Sequence, residues 1–507
     1  MRNTLLLPDN QVIIEKRNPQ FMWDYYPHAV SYILNVKKLV DWEYVPYKSA
    51  QIDGYTNSAY TFEEPLDENE IYSWNVTAIL EDGTKEETET YYFAGPFNPK
   101  THPANVGLDF EFNGPPSKEV LNNYLSRGVN CFILDENWNC GGLVRFEENL
   151  RMLLYTGAKY IQRATAGDCW DLSPEKIESH PRLKVCIEKA HKFDPDLIFE
   201  GGVYEIVNSE VNRTKIPAFV FEAFDLPVED RNFIMENMVY EDGRYTNFLP
   251  NCNIPDISRL ETQMWFYYRA RLFIDVGCES VHLGSTPIMS ENDSQNGYKG
   301  WKRITSLLRE YAKTHSRRGW VLLNGHTLNM KTDDDELIFD FNAWTLQPII
   351  PKGQVEGPPT EDHPQKIDIN LYENEFAIYG ITEGGKHPCG YTVERAPYVV
   401  EFDNYGIISD IIDKPCGATG GYPWGMEDIA WFYRQPTEYR RSCLDYLYYK
   451  LKDIDGVCGH ITMPLLRLYC TRFVRSNLPE FGYSTATGDE VAVRNVFIKD
   501  NEMRNAK

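Results

Sequence analysis

No apolar run in the sequence approaches the roughly 20 residues needed to cross a bilayer, and no basic segment followed by an apolar stretch opens it. Membrane insertion is therefore not expected. With no signal peptide in the chain as given, a cytoplasmic protein and an exported one whose signal has been removed both stay open. Positive charge is also scarce: Lys and Arg total 51 against 75 Asp and Glu, a net charge of −24. Such a surface repels nucleic acid and anionic membranes, and a neutral partner suits it better. The 11 cysteines form no CxxC pair and no repeating spacing, so neither a zinc site nor a disulfide framework is implied. The GxSxG elbow, the phosphate-binding glycine loop and the HExxH helix are all missing. Serine-hydrolase, nucleotide-binding and zinc-protease chemistries thus lack their defining residues. Asp333-Asp334-Asp335 lacks the glycine and terminal Glu of a calcium loop and reads as a solvated turn. No cofactor or metal is expected, and the oligomeric state is left open.

What the sequence does have is length and aromatic surface. Its 507 residues exceed what one core usually supports. The 33 Tyr, 25 Phe and 11 Trp supply flat faces for a core or for stacking on rings. From about residue 8 to 95 the pattern is short alternating strands: Phe21 to Trp23, Ala29 to Val36, Ala59 to Phe62, Ile71 to Ile79 and Thr88 to Phe93. An early Trp23, the alternation of Tyr32, Leu34 and Val36, and Tyr72-Ser73-Trp74-Asn75-Val76-Thr77-Ala78 before the turn at Asp82-Gly83 resemble a fibronectin type III or related immunoglobulin-like sandwich. This places a small all-β sandwich at 1–97 and a Pro-rich linker at 98–104.

After residue 104 apolar strands alternate with helical stretches, the pattern of βαβ units and a parallel sheet. Eight candidate strands give a (β/α)8 TIM-like barrel over 105–463: Val106 to Phe112, Cys131 to Glu136, Tyr160 to Ala164, Leu197 to Gly202, Phe219 to Ala223, Ser280 to Gly284, Trp320 to Asn324 and Tyr398 to Asp403. An insertion occupies about 326–397, within which Glu336 to Phe341 is a rival barrel strand, and 464–507 forms a C-terminal extension with further strands. Helices are expected at Ser117 to Leu125, Asp256 to Asp275, Trp301 to Thr314 and Met426 to Lys452.

Barrel enzymes carry their reactive groups at the C-terminal strand ends, and here most candidate strands end in ionisable residues. By the period of two, Asp109 and Glu111 share one face of the first strand and point into the mouth. Glu136 and Trp138 close the second strand and Arg163 the third; Tyr204 and Glu205 follow the fourth. Glu222 lies in the fifth, His282 in the sixth, His326 follows the seventh, and Glu401 and Asp403 share a face of the last. Any one such acid is more often a helix cap or half of an ion pair. Many converging on one mouth are costly unless their protonation states are put to use.

A protonated and an ionised carboxyl facing each other are the machinery of glycoside hydrolysis. The layout resembles barrel glycoside hydrolases that carry an accessory β-sandwich, although the Asn-Glu pair common at the end of strand four is absent. What the resemblance implies is a glycosidase acting on a glycan or oligosaccharide. The alternative is a non-catalytic carbohydrate-binding or interaction protein on the same scaffold. Glu205 is favoured as general acid, because Gly201-Gly202 would let the backbone turn at the rim and aim Tyr204 and Glu205 inward, with Glu200 facing the barrel interior. Glu401 or Asp403 would be the nucleophile or base, with Asp109 and Glu111 as rivals. Arg163 and His282 would orient sugar hydroxyls, with Glu136, Trp138, Tyr204, Glu222, His326 and Trp424 lining the cleft.

Overall fold

The computed structural model describes residues 6–54, 56–134, 146–165, 172–177, 181–249, 251–327, 329–346, 348–349, 366–367, 382–402, 432–433, 435–469, 472–482 and 486–506. By compactness the chain divides into two units. One gathers Met1–Gly107, Arg145–Ala158 and Arg475–Lys507; the other gathers Leu108–Val144 and Lys159–Val474.

The first unit contains strands β1 (Val12–Ile13), β2 (Phe21–Met22), β3 (Ala29–Val40), β4 (Glu43–Asp53), β5 (Ala59–Tyr60), β6 (Ile71–Leu80), β7 (Lys85–Glu87) and β8 (Tyr91–Ala94). A six-stranded sheet runs β1-β8-β6-β3-β4 with β7 on β6, and β2 pairs β5 separately. The period-two pattern works as expected: Tyr32, Leu34 and Val36 are buried together with Trp74 and Val76, which lie opposite Val36 and Leu34 in the ladder. Phe21 meets Trp74 edge to face at 5.3 Å. Two helices complete this unit, Phe146–Thr156 and Glu490–Asn505. Between them lies a buried ion triad. Arg151 binds both oxygens of Glu148 at 2.6 and 2.8 Å and both of Glu490 at 2.8 and 2.9 Å.

Two carboxylates sharing one guanidinium leave one acid undercompensated, and burial pushes Glu490 up to about 7 from an ordinary 4.5. A raised carboxyl favours the folded state while protonated, so this contribution is complete below about pH 4.5 and is lost as pH rises through about 7. The stability difference between the native chain and Glu490→Gln should therefore shrink over that interval. Parallel curves of denaturation free energy against pH for the two proteins would rule this out.

The second unit is a closed parallel barrel. Its strands are β9 (Gly128–Cys131), β10 (Tyr160–Gln162), β11 (Ile198–Gly202), β12 (Ser280–Ser285), β13 (Leu322–His326), β14 (Phe341–Thr345), β15 (Tyr398–Glu401) and β16 (Gly459–Tyr469). They pair in chain order, and β16 closes the ring by pairing both β15 and β9. Helices Pro181–Phe193, Leu260–Val276, Lys299–His315 and Thr437–Asp455 lie between successive strands. Among the described residues no helix is long and apolar enough to cross a membrane.

Two expected strands are corrected. Val106 to Phe112 is not a strand: Phe110, with Leu108 and Phe112, packs against the helix Lys118–Leu125, capped by Ser117, and against Tyr160, Ile198, Leu322 and Phe341. Those four are the first residues of β10, β11, β13 and β14, so the segment plugs the N-terminal end of the barrel, opposite the mouth. Phe219 to Ala223 is a helix, Ala218–Ala223, led by Pro217 in extended backbone and burying Val220 and Phe221 on one face. The places of these two are taken by β14, which interrupts the expected insertion, and by β16, so Tyr398–Glu401 is the seventh strand and not the last.

Candidate active site

Residues on and just after β10, β11, β12, β13 and β15 bring one connected polar cluster into the barrel interior. Arg163 follows β10 with a left-handed φ of 55°, an uncommon conformation for a bulky residue. Its side chain is fully buried and joins two carboxylates. Its Nη1 and backbone N–H reach Glu200 Oε1 at 2.8 and 3.1 Å, and its Nη2 donates to Glu401 Oε1. Glu200, on β11, takes two further donors on Oε2: the Tyr160 hydroxyl at 2.5 Å and Asn324 Nδ2 at 2.8 Å. Burial pushes the Glu200 carboxyl above its ordinary range, while the Arg163 charge and the Tyr160 hydroxyl pull it back. With both oxygens committed, Glu200 is a pedestal for its neighbours.

Glu401 is arranged differently. Its Oε1 accepts from Arg163 and from His326 Nε2 at 2.7 Å, but its Oε2 is buried without a hydrogen-bond partner among the described residues. An unsatisfied buried acceptor costs about 1–3 kcal/mol, and in a native protein it calls for an explanation, a catalytic role among them.

Among the described residues, other such atoms in the barrel include the acceptor His282 Nε2 on β12 and the donor Gln162 Nε2 on β10. His282 is fully buried, its Nδ1 lies 2.8 Å from Asn324 Oδ1, and its ring stacks edge to face on His326 at 4.7 Å. Burial, then Arg163 and His326, hold this imidazole well below its ordinary range, so it is neutral.

Glu205 is buried on the stretch after β11, and its Oε2 accepts the backbone N–H of Ser285 at 2.9 Å. The other oxygen makes no hydrogen bond among the described residues. Gly284 makes this approach feasible: its φ is 71°, and a Cβ there would sit 2.5 Å from Glu205 Oε2. Gly201-Gly202, expected to turn the backbone at the rim, stays in the ladder opposite Val281 and His282. Gly201 serves helix packing, since a Cβ there would strike the Phe273 ring at 2.4 Å. Ser285 pairs with His326 across β12 and β13. Glu205, Ser285, His326 and Glu401 thus follow one another along the rim.

Of the sequence candidates, the structure gathers Arg163, Tyr204, Glu205, His282, His326 and Glu401. Tyr204 is buried with its ring 5.9 Å from that of His282. Three expectations are corrected. Asp109 and Glu111 are exposed on the plug at the far end of the barrel, and Glu222 is exposed on its helix, so none reaches the mouth. Arg163 clamps two carboxylates. Asp340 of the rival strand precedes β14, where it bonds Arg309, Trp320 and the Leu323 N–H at the base. Glu136, Trp138, Asp403, Trp424 and also Trp170 and Trp431 lie outside the described residues. Sequence reasoning undervalued Tyr160 and Asn324, whose roles depend on cross-strand neighbours that no local pattern shows.

Among the described residues one group has metal-ligand chemistry: Asp340, His387 and Cys389 lie with their ligand atoms within 4.8 Å of one another. Their atoms are already committed. His387 Nε2 bonds the Asp340 carbonyl at 2.7 Å, its Nδ1 accepts the Cys389 N–H at 3.1 Å, and Asp340 pairs with Arg309.

No family model matches the sequence, and no curated protein matches it. Among solved structures, similarity is found to an α-L-rhamnosidase from Dictyoglumus thermophilum at 16% identity and TM-score 0.16, covering 22% of this chain and 14% of that one. A cycloisomaltooligosaccharide glucanotransferase from Paenibacillus sp. matches at 9% identity and TM-score 0.23, covering 67% of this chain and 48% of that one. A cycloalternan-degrading enzyme from Trueperella pyogenes matches at 11% and 0.24, covering 65% and 68%. The chain thus spans less than half the length of the first two. All three are carbohydrate-acting enzymes, but at these values no activity carries across, and the chemistry is read from the residues.

Proposed function

We propose that the chain is a glycoside hydrolase working at the C-terminal mouth of its barrel, with Glu401 as nucleophile or base and Glu205 as general acid. The observation that carries this reading is the asymmetry of Glu401: one oxygen is clamped by Arg163 and His326, and the other is bare and buried. A carboxylate fixed in this way presents one lone pair in one direction, as attack on an anomeric carbon or on a water's proton requires. Glu205, held through Oε2 alone, has its second oxygen available to protonate the departing glycosidic oxygen and later to take a proton from water. Arg163 and His326 position the nucleophile, and Tyr204 with His282 supplies the wall against which the ring rests. Glu136, Trp138 and Trp424 remain proposed sugar contacts, and Asp403 remains the proposed alternative to Glu401 as nucleophile or base. The N-terminal sheet is proposed as an accessory fibronectin-type module.

A panel of aryl glycosides and glycan oligomers tests the reading. Turnover of at least one, reduced by about 10²-fold or more in Glu205→Gln with leaving groups that need protonation, is the expected result. Binding without turnover would leave the non-catalytic carbohydrate-binding protein in its place, and neither binding nor turnover would end both.

A further inference from the structure

Resting on the glycosidase reading and deepening it, we infer that the mouth selects uncharged sugars by their free hydroxyls, because two buried atoms left bare there among the described residues, His282 Nε2 and Glu401 Oε2, are acceptors, the first with its direction fixed by a Glu200–Asn324–His282 relay. The relay can be followed atom by atom. Glu200 is a carboxylate held by Arg163, so the Asn324 group facing its Oε2 at 2.8 Å has to be the amide nitrogen. The amide oxygen is then the atom 2.8 Å from His282 Nδ1, and an oxygen only accepts. His282 Nδ1 therefore carries the proton. The imidazole is neutral, so Nε2 carries a lone pair, and that is the buried atom without a partner.

Glu401 Oε2, also unpartnered among the described residues, is likewise an acceptor. His326 ties the two together, touching Glu401 with Nε2 at 2.7 Å and His282 ring to ring at 4.7 Å. Among the described residues the charged groups on the surrounding strands include Arg163, Glu200, Glu401 and Arg467, the last bonded to Asn130 at 2.8 Å, with Glu205 on the rim, and Gln162 adds one bare donor in its Nε2. The Arg163 groups that reach Glu200 and Glu401 are already spent on those carboxylates. A sugar hydroxyl donates to such atoms. A carboxylate on the sugar brings only further acceptors and negative charge, and a hydroxyl replaced by hydrogen leaves the acceptor bare. Asn324 and Glu200 are positioning residues here, acting through His282.

The experiment has two arms. In the first, ¹⁵N-histidine NMR of the full chain reads the His282 tautomer without any sugar. The expected result is a protonated Nδ1 and a bare Nε2 near neutral pH, with Asn324→Asp extending the imidazolium form to higher pH, a change that mere loss of packing would not give. A protonated Nε2, or an imidazolium in the native protein near neutral pH, overturns the proposal. In the second, binding of p-nitrophenyl glucosides, galactosides and mannosides of both anomeric series is compared with that of matching glucuronides and 2-deoxy sugars. A preference of about 10- to 100-fold for at least one uncharged parent sugar supports it. Equal binding of glucuronides, or no sugar binding at all, refutes it. Selective binding with the stated tautomer but no hydrolysis would sink the glycosidase reading and leave this inference standing.

Discussion

Glu401→Gln is expected to lower kcat on any substrate the protein hydrolyses by about 10³-fold or more while leaving the barrel folded. Gln keeps the shape of Glu, and its amide oxygen can still accept from Arg163 and His326 on the clamped side. That orientation puts an NH2 where the bare Oε2 stood, and the group that would attack or take a proton is gone. Glu401→Asp separates chemistry from charge. It keeps a carboxylate near Arg163 but withdraws it by one methylene, so stability should be nearly retained and turnover mostly lost, since small displacements from a reacting atom are costly. The measurement is steady-state kinetics beside a denaturation curve for each variant. Turnover by Glu401→Gln within about tenfold of the native enzyme would remove Glu401 from the mechanism.

Arg163→Met is expected to destabilise the barrel by about 3–5 kcal/mol, the usual cost of removing one partner of a buried ion cluster. Arg163 is the cation that joins Glu200 and Glu401, and all three side chains are sealed from water. Without it two carboxylates face one another across the interior. The penalty should also depend on pH in a stated direction. Burial already holds Glu200 above its ordinary value; removing Arg163 raises it further, and a carboxyl raised in the folded state contributes stability below its unfolded pKa that is lost as pH rises. The deficit of the variant should therefore be smallest in acid and grow toward neutrality. A loss below about 1 kcal/mol at neutral pH, or one independent of pH, would mean that the cluster is not the buried charge system it looks to be in the structure.

The alternation that predicted the sheet of the first unit was sufficient there, because Tyr32, Leu34 and Val36 meet a core on one face only. The same rule misread Val106 to Phe112. Apolar residues at every second position fit a half-buried strand, but Phe110 is buried by the ring of strand starts beneath the barrel, a contact made by residues far away in sequence. Phe219 to Phe221 fits a short buried strand or helix equally well by hydrophobicity, and the Pro217 just before it was the cue for a helix. The functional residues were legible where a short apolar strand ran straight into an ion, as in Tyr160-Ile161-Gln162-Arg163 and Val399-Val400-Glu401. Their division of labour was not. Glu200 and Glu401 both follow apolar residues of a barrel strand, and only the count of donors around each oxygen separates a pedestal from a reactive group.

The first unit is assembled from three stretches of chain, and one of its apolar clusters joins Leu39, Ile71 and Ala94 of the sheet with Tyr155, Leu478, Phe481 and Val491. Its order of manufacture therefore runs against its order in space. A ribosome completes the sheet early, yet the residues that close this cluster emerge only after the whole barrel has been made. During synthesis the sheet keeps part of its apolar surface uncovered, and premature termination after Val474 but before Leu478 releases a product whose first-made unit is the one left unfinished.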